Sequence, residues 1–317
     1  MFDGFYHSLI GASHETQGIV CQDWSEHMVT EHYAIGVVAD GHGSKKHFRS
    51  DVGSKLAVKT AIGTISEYYA NAEDFEKNFL EDPQKIIKKI EKHIISRWNR
   101  AIALHCALNP ITELEKKPFT DEEFRAIKTE AIYGTTLIAV VIGRKFSFGI
   151  QLGDGSLVVI NDKGKAIMPI EDDESCPANM TASMCNSNAI NLFNSFYSLE
   201  QPIAIYVSTD GLFTSFATDA DFLDYHSIIT AQLGNLQAFE PSLMRNLGKR
   251  THYGTQDDIS MSCIYNPELV KEKSEILLKQ IEENKRRAEI RAAEQASKKV
   301  KLKIRNNLLK QDSDRQD

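Results

Sequence analysis

Four short acidic motifs sit where apolar runs give out: Gln22-Asp23, Asp40-Gly41-His42-Gly43, Thr209-Asp210-Gly211 and Gln256-Asp257-Asp258. An isolated carboxylate at the mouth of a buried strand is costly, because ionised groups lose many kcal/mol of hydration when left dry and unpaired. Several such carboxylates from distant parts of one chain are best explained by a shared hard cation with oxygen ligands. Gly41 and Gly43 permit tight backbone geometry close to an ion and leave the Gly41 carbonyl open as a ligand. His42 is placed where an imidazole, whose unperturbed pKa suits proton donation near neutrality, could serve a leaving oxygen. A further turn, Gly153-Asp154-Gly155-Ser156, adds a fifth carboxylate between two strands.

These motifs need strands to carry them. Tyr33–Ala39 is a nearly continuous apolar run, which predicts a strand buried on both faces. Similar runs occupy 135–142, 146–152, 157–160, 203–208 and 259–265. Residues 54–69 and 84–108 predict helices. In the second, Ile86, Ile87, Ile90, Ile94, Ile95 and Trp98 recur at helical spacing and should face a sheet. Thr120 with Glu123 fits a capping box. Gly143-Arg144-Lys145 and Asn161-Asp162-Lys163-Gly164 join adjacent strands and favour antiparallel hairpins. The expected fold is α+β: an antiparallel β-sandwich flanked by helices in four αββα layers, plus a C-terminal charged helix. Residues 1–267 form the expected catalytic domain, with a polar Asn/Ser-rich stretch at 169–202 as a flap-like insertion, and 268–317 form a charged helical tail.

Composition sets bounds. The 317 residues are 42% hydrophobic and 26% charged, ordinary for a globular protein. Five scattered cysteines without a CxxC pair argue against a disulfide framework or a zinc knuckle and point to a reducing compartment. No signal peptide or spanning segment is recognisable, so the cytoplasm is the expected location. Residues 268–317 carry 14 Lys+Arg against 10 Asp+Glu, leaving 23 against 34 for residues 1–267. An acidic body disfavours nucleic acid as a ligand. The basic run from Lys298 to Arg305 reads first as a solvated helix face, with nucleic acid, an acidic partner or lipid headgroups as the alternative contacts.

In order along the chain, Gln22-Asp23, Asp40-Gly41-His42-Gly43, Gly134-Thr135-Thr136, Gly153-Asp154, Thr209-Asp210-Gly211-Leu212 and Gly254-Thr255-Gln256-Asp257-Asp258-Ile259-Ser260 resemble the PPM (type 2C) metal-dependent serine/threonine protein phosphatases over about residues 8–266. The opening resembles a bacterial subgroup. The resemblance implies that Asp40 bridges two manganese or magnesium ions, with the Gly41 carbonyl on one and Asp210 and Asp257 on the other. Asp23 would hold metal-bound waters, and Asp154 with Asp210 would frame a weaker third site. Asp258 would act from behind Asp257. It further implies in-line attack by a water activated between two metals, with His42 protonating the leaving seryl or threonyl oxygen. Phosphoprotein substrates and a cognate Ser/Thr kinase would be the partners.

Two departures from the family pattern stand out. Gln22 occupies a position where Glu is common. Gly18 stands where many members carry a phosphate-gripping Arg, and no Arg lies between Met1 and Asp40. His14, Lys45, Lys46 or Arg49 is expected to hold the phosphate instead. Two other readings stay open on sequence: a phosphoprotein-binding scaffold that has lost turnover, and a phosphohydrolase of small molecules.

Overall fold

The computed structural model describes residues 1–170 and 181–313. Its strands are β1 (Asp3–Leu9), β2 (Trp24–Val29), β3 (Tyr33–Ala39), β4 (Leu137–Gly143), β5 (Ser147–Leu152), β6 (Ser156–Ile160), β7 (Ala166–Ile167), β8 (Asn194–Ser198), β9 (Ala204–Ser208) and β10 (Ile259–Tyr265). The helices are α1 (Ala12–Gln17), α2 (Ser50–Tyr68), α3 (Ala72–Glu81), α4 (Pro83–Leu108), α5 (Glu113–Lys116), α6 (Asp121–Ala126), α7 (Thr129–Ile132), α8 (Asp210–Phe213), α9 (Asp219–Gln232), α10 (Leu236–Arg250), α11 (Pro267–Glu272) and α12 (Ser274–Ser313). Two five-stranded sheets, β1-β10-β9-β6-β7 and β2-β3-β4-β5-β8, are antiparallel throughout. This is the expected α+β sandwich with a C-terminal helix.

The continuous apolar runs are explained by which cluster each residue joins. Along β3, Ile35, Val37 and Ala39 face α2–α4, while Ala34 and Val38 face the other sheet. Ile138, Val140 and Ile142 of β4 meet Ile205 and Val207 of β9 and Ile264 of β10 between the sheets. Tyr206, Met261 and Cys263 point outward onto Phe222, Ile229 and Leu243 of α9 and α10. Both faces of a central strand are therefore covered, and period-two alternation vanishes from the sequence. On one face of α4, Ile87, Ile90, Ile94 and Trp98 are buried as their spacing predicts, and Trp98 Nε1 donates to the Gly53 carbonyl at 3.1 Å.

Several elements depart from the sequence expectation. β1 and β2 carry no long apolar run because their burial is partial: β1 has one buried residue, Phe5, and β2 one, Ser25. Within 169–202, residues 171–180 lie outside the described residues. The remainder includes a 3-10 turn (Ala189–Asn191) and β8, which closes the edge of a sheet against β5. Packing also crosses the expected boundary at residue 267. Val270 and Leu277 are buried in the cluster under α9, and Arg291 lies 3.7 Å from Asp224, so the tail helix begins as part of the outer helical layer. Cys176 lies outside the described residues, and Cys21, Cys106, Cys185 and Cys263 are free thiols.

Candidate active site

The acidic motifs meet at one end of the sandwich. Asp40 follows β3, and its backbone is stitched to the chain entering β4. Its N–H donates to Thr136 Oγ1 (3.0 Å), while its carbonyl accepts from the Thr136 N–H (2.8 Å) and Thr135 Oγ1 (2.8 Å). The Thr-Thr pair thus fixes where the carboxylate of Asp40 leaves the strand. Gly41 passes so close to neighbouring backbone that a Cβ would lie 2.5 Å from the Gln22 carbonyl and 2.7 Å from that of Ser50. Only glycine fits this crossing. Gly211 is held equally tightly, since a Cβ there would lie 2.1 Å from the Asp258 carbonyl.

Asp23 is buried at the entry to β2, and its Oδ2 accepts a 2.6 Å hydrogen bond from Thr209 Oγ1. Asp210 opens α8, where the helix N-terminus favours negative charge. Asp154 stands exposed in the β5–β6 turn and accepts from Thr181 Oγ1 at 2.7 Å. Asp257 is exposed and accepts from the N–H of Asp258 at 2.9 Å. Asp258 is 3% exposed and acts as a clamp. Its Oδ1 accepts from the Gly11 N–H (2.6 Å) and faces His14 Nδ1 (2.9 Å), and its Oδ2 accepts from the Gln22 N–H (2.7 Å). One side chain therefore ties the closing motif to both ends of the opening one. The backbone of Gln22 carries the contact to Gly41, while its amide donates to Ser50 Oγ at 3.0 Å.

Burial and like charge govern the electrostatics. The carboxyls of Asp23 and Asp40 are pushed well above the usual range, first by burial; neighbouring carboxylates, Asp210 among them, push the same way. Asp210 is raised by burial and then by Asp154. Its Oδ1 is buried without a hydrogen-bond partner. Only a cation or a proton offsets the cost of such a group. Among the described residues, no three His, Cys, Asp or Glu side chains converge closely enough to enclose a metal ion by themselves. The donor chemistry nevertheless fits a hard divalent cation: all-oxygen, anionic, with an unsatisfied oxygen at its centre. His42 lies with its ring centroid 4.9 Å from that of His47, and burial, His47 and Lys46 lower its pKa to about 4 against the pull of Asp154. Burial, Asp23 and Asp258 push the Cys21 thiol up, so it is no nucleophile.

The four candidates for holding phosphate have different fates. Arg49 is removed from the set: Nε and Nη2 bond the Glu115 carboxylate (2.6 and 3.0 Å), Nη1 bonds the Asn109 carbonyl and Tyr133 hydroxyl, and Nη2 also bonds the Pro110 carbonyl. All five guanidinium donors are used, four tying the start of α2 to residues 109–115 and one going to Tyr133. His14 Nδ1 is engaged by Asp258. Lys45 lies 3.5 Å from Glu123 and 4.5 Å from the centroid of Phe119. Lys46 is exposed on the turn that follows Gly43. Sequence reasoning missed the Thr209–Asp23 bond, the Asp258 clamp and the Arg49–Glu115 pair. The last had one usable signal, a second capping box at Thr112/Glu115.

The family profile described as Protein phosphatase 2C matches residues 10–248. No curated protein sequence matches the chain. Among solved structures, it is similar to the S. agalactiae serine/threonine phosphatase (16% identity, TM-score 0.52, covering 84% of this chain and 99% of that one). PppA, a regulatory component of the type VI secretion system in Pseudomonas aeruginosa, is similar at 16% identity and TM-score 0.52, covering 83% and 97%. The catalytic domain of the serine/threonine phosphatase PstP, solved with two manganese ions, is similar at 14% identity and TM-score 0.50, covering 83% and 97%. At these identities the likeness is one of fold.

Proposed function

The chain belongs to the protein phosphatase 2C family, and on that premise we propose that it hydrolyses phosphoserine and phosphothreonine in proteins with the help of divalent metal. The observation that carries the reading is the gathering of Asp23, Asp40 and Asp210 at one end of the sandwich, with Asp210 Oδ1 buried and unpartnered. Asp40, the Gly41 carbonyl, Asp210 and Asp257 would hold two manganese or magnesium ions. Asp23 would orient their waters, and Asp154 with Asp210 would take a weaker third. The two manganese ions of the PstP structure support that choice of cofactor. Bound metal would supply an activated water for in-line attack and offset charge on the phosphoryl oxygens.

The chain's own groups do the rest. Thr135 and Thr136 hold the Asp40 backbone in register, and Thr209 orients Asp23. His42 would deliver a proton to the departing seryl or threonyl oxygen. In the free protein its burial keeps it neutral near pH 7, and an incoming phosphoryl dianion acts in the direction that raises its pKa. Residues 1–267 would supply the catalytic unit, with 169–202 and the 268–317 tail selecting the phosphoprotein, in a cytoplasm where a Ser/Thr kinase makes the substrate.

Hydrolysis of a small aryl phosphate titrated with manganese tests the claim, with Asp40→Ala and Asp210→Ala as controls. A metal-dependent rate absent from both variants is expected. A wild-type rate no higher than the variants' would sink the enzyme reading in favour of a binding scaffold. Rates on phosphoserine, phosphothreonine and phosphotyrosine peptides then define the substrate class.

A further inference from the structure

A phosphoryl dianion approaching this site meets carboxylates. Asp40, Asp154, Asp210 and Asp257 all lie at the same end of the sandwich, and the turn after Gly43 carries two exposed lysines, Lys45 and Lys46. Three of the four basic candidates already have partners. Arg49 has no donor left, His14 faces Asp258, and Lys45 is engaged by Glu123 and the face of Phe119.

We propose that Lys46 is the residue that grips the substrate's phosphoryl group. This inference rests on the phosphatase reading above and names its phosphate-binding cation. Lys46 is exposed and forms no salt bridge among the described residues. It lies three residues beyond Gly43, on a turn anchored at both ends: the His42 N–H donates to the Gly134 carbonyl at 3.1 Å, and the His47 N–H to that of Ser44 at 2.8 Å. The backbone is fixed while the four-carbon stem stays free to reach, which suits a point charge that must follow a moving phosphoryl group. The ring of its chain neighbour His47 lies with its centroid 4.9 Å from that of His42, which holds this turn against the group that would donate the proton.

A second observation comes from the surface around it. Lys46 lines an open groove of about 460 Å³ whose other wall is Phe119, Ala126 and Ile127, from the segment holding α5 and α6. The groove begins at Ser44, the residue after Gly43, and Glu123 lines it beside the apolar side chains, so a peptide whose phosphoresidue enters the site has a trough for a neighbouring side chain. The same Arg49–Glu115 pair that excludes Arg49 from phosphate binding holds that wall in place. The usual work of one arginine is thus divided: Arg49 builds the wall, and Lys46 meets the ligand.

The test uses the full chain in magnesium buffer, with Lys46→Ala and Lys46→Arg. Orthophosphate binding is followed by calorimetry, and KM and kcat are measured on a small aryl phosphate and a phosphothreonine peptide. Removing a charge-assisted hydrogen bond in Lys46→Ala should weaken orthophosphate binding and raise both KM values about tenfold or more. Lys46→Arg should stay within about threefold of wild type, since it keeps the charge. Because the side chain is exposed, melting temperatures should be unchanged. Orthophosphate binding and KM retained in Lys46→Ala overturn the proposal, as does a fall in kcat alone, or a wild-type protein that does not bind orthophosphate. If the wild type binds orthophosphate but shows no metal-dependent turnover, the phosphatase reading fails, and loss of binding in Lys46→Ala still supports Lys46 as the phosphate cation.

Discussion

Asp210 sits where its negative charge costs stability. Its pKa is raised by burial and by Asp154, so its ionised form is less comfortable in the folded protein than in the unfolded chain. Stability from this group is therefore present at low pH and lost as pH rises through the folded pKa. Asp210→Asn should accordingly raise the melting temperature of the chelator-treated protein at pH 7.5 while abolishing phosphatase activity. Manganese should raise the wild-type melting temperature and leave that of the variant nearly unmoved; scanning calorimetry with and without chelator checks both. Thr209 is the opposite case. Its hydroxyl serves Asp23 at 2.6 Å and also accepts from the Ser260 N–H at 2.9 Å. Thr209→Val should cost about 1–3 kcal/mol in urea unfolding, because two buried polar groups lose their partner. An unchanged midpoint would show that water replaces the hydroxyl.

At the scale of elements, the α5–α6 segment is held to the start of α2 by the buried Arg49–Glu115 pair and the carbonyl contacts of Arg49, with the exposed Lys45–Glu123 pair beside them. The hydrogen bonds between Arg49 and Glu115 raise the pKa of the arginine and lower that of the carboxyl to about 2. Glu115→Gln leaves a buried guanidinium without its counter-charge and should destabilise by about 3 kcal/mol. Proteolysis within 109–133 should quicken at the same time. Helix α9 carries a different liability. His226 is fully buried among Tyr206, Phe222 and Tyr225, and its Nδ1–H donates to the Phe222 carbonyl at 2.8 Å. Burial lowers its pKa from 6.5 to about 4. Above pH 6.5 both folded and unfolded chains hold it neutral. Below that the unfolded chain takes up the proton first, so stability falls as pH falls toward 4. His226→Leu should recover about 2 kcal/mol of the stability lost between pH 7.5 and 5, read from urea midpoints at the two pH values.

At the scale of the whole molecule, packing continues past residue 267. Val270 and Leu277 fill the cluster beneath α9, and Arg291 lies between Asp221 (4.0 Å) and Asp224 (3.7 Å). Leu277→Ala should cost about 2–4 kcal/mol, and removal of 268–317 should cost more than that single change. No helix among the described residues is long and apolar enough to cross a membrane.

The sequence by itself determined the central strands, the two long helices, the hairpin turns and the acidic residues at the strand ends. Each is written locally, as an apolar run, a 3.6-residue period, a glycine or an Asp in a turn. Tyr33–Ala39 and Ile259–Tyr265 were legible to the residue for that reason. β1, β2 and β8 were not, because half-exposed strands owe their pairing to partners far along the chain. Within the site, sequence named the carboxylates but could not say which side chains were free. Asp258 is a clamp on Gly11, His14 and Gln22, and Arg49 is consumed by Glu115, only because folding brings residues 66 to 247 positions apart together. A side chain's type is set by sequence, but its availability depends on which donors and acceptors reach it first, and that is decided by tertiary structure alone.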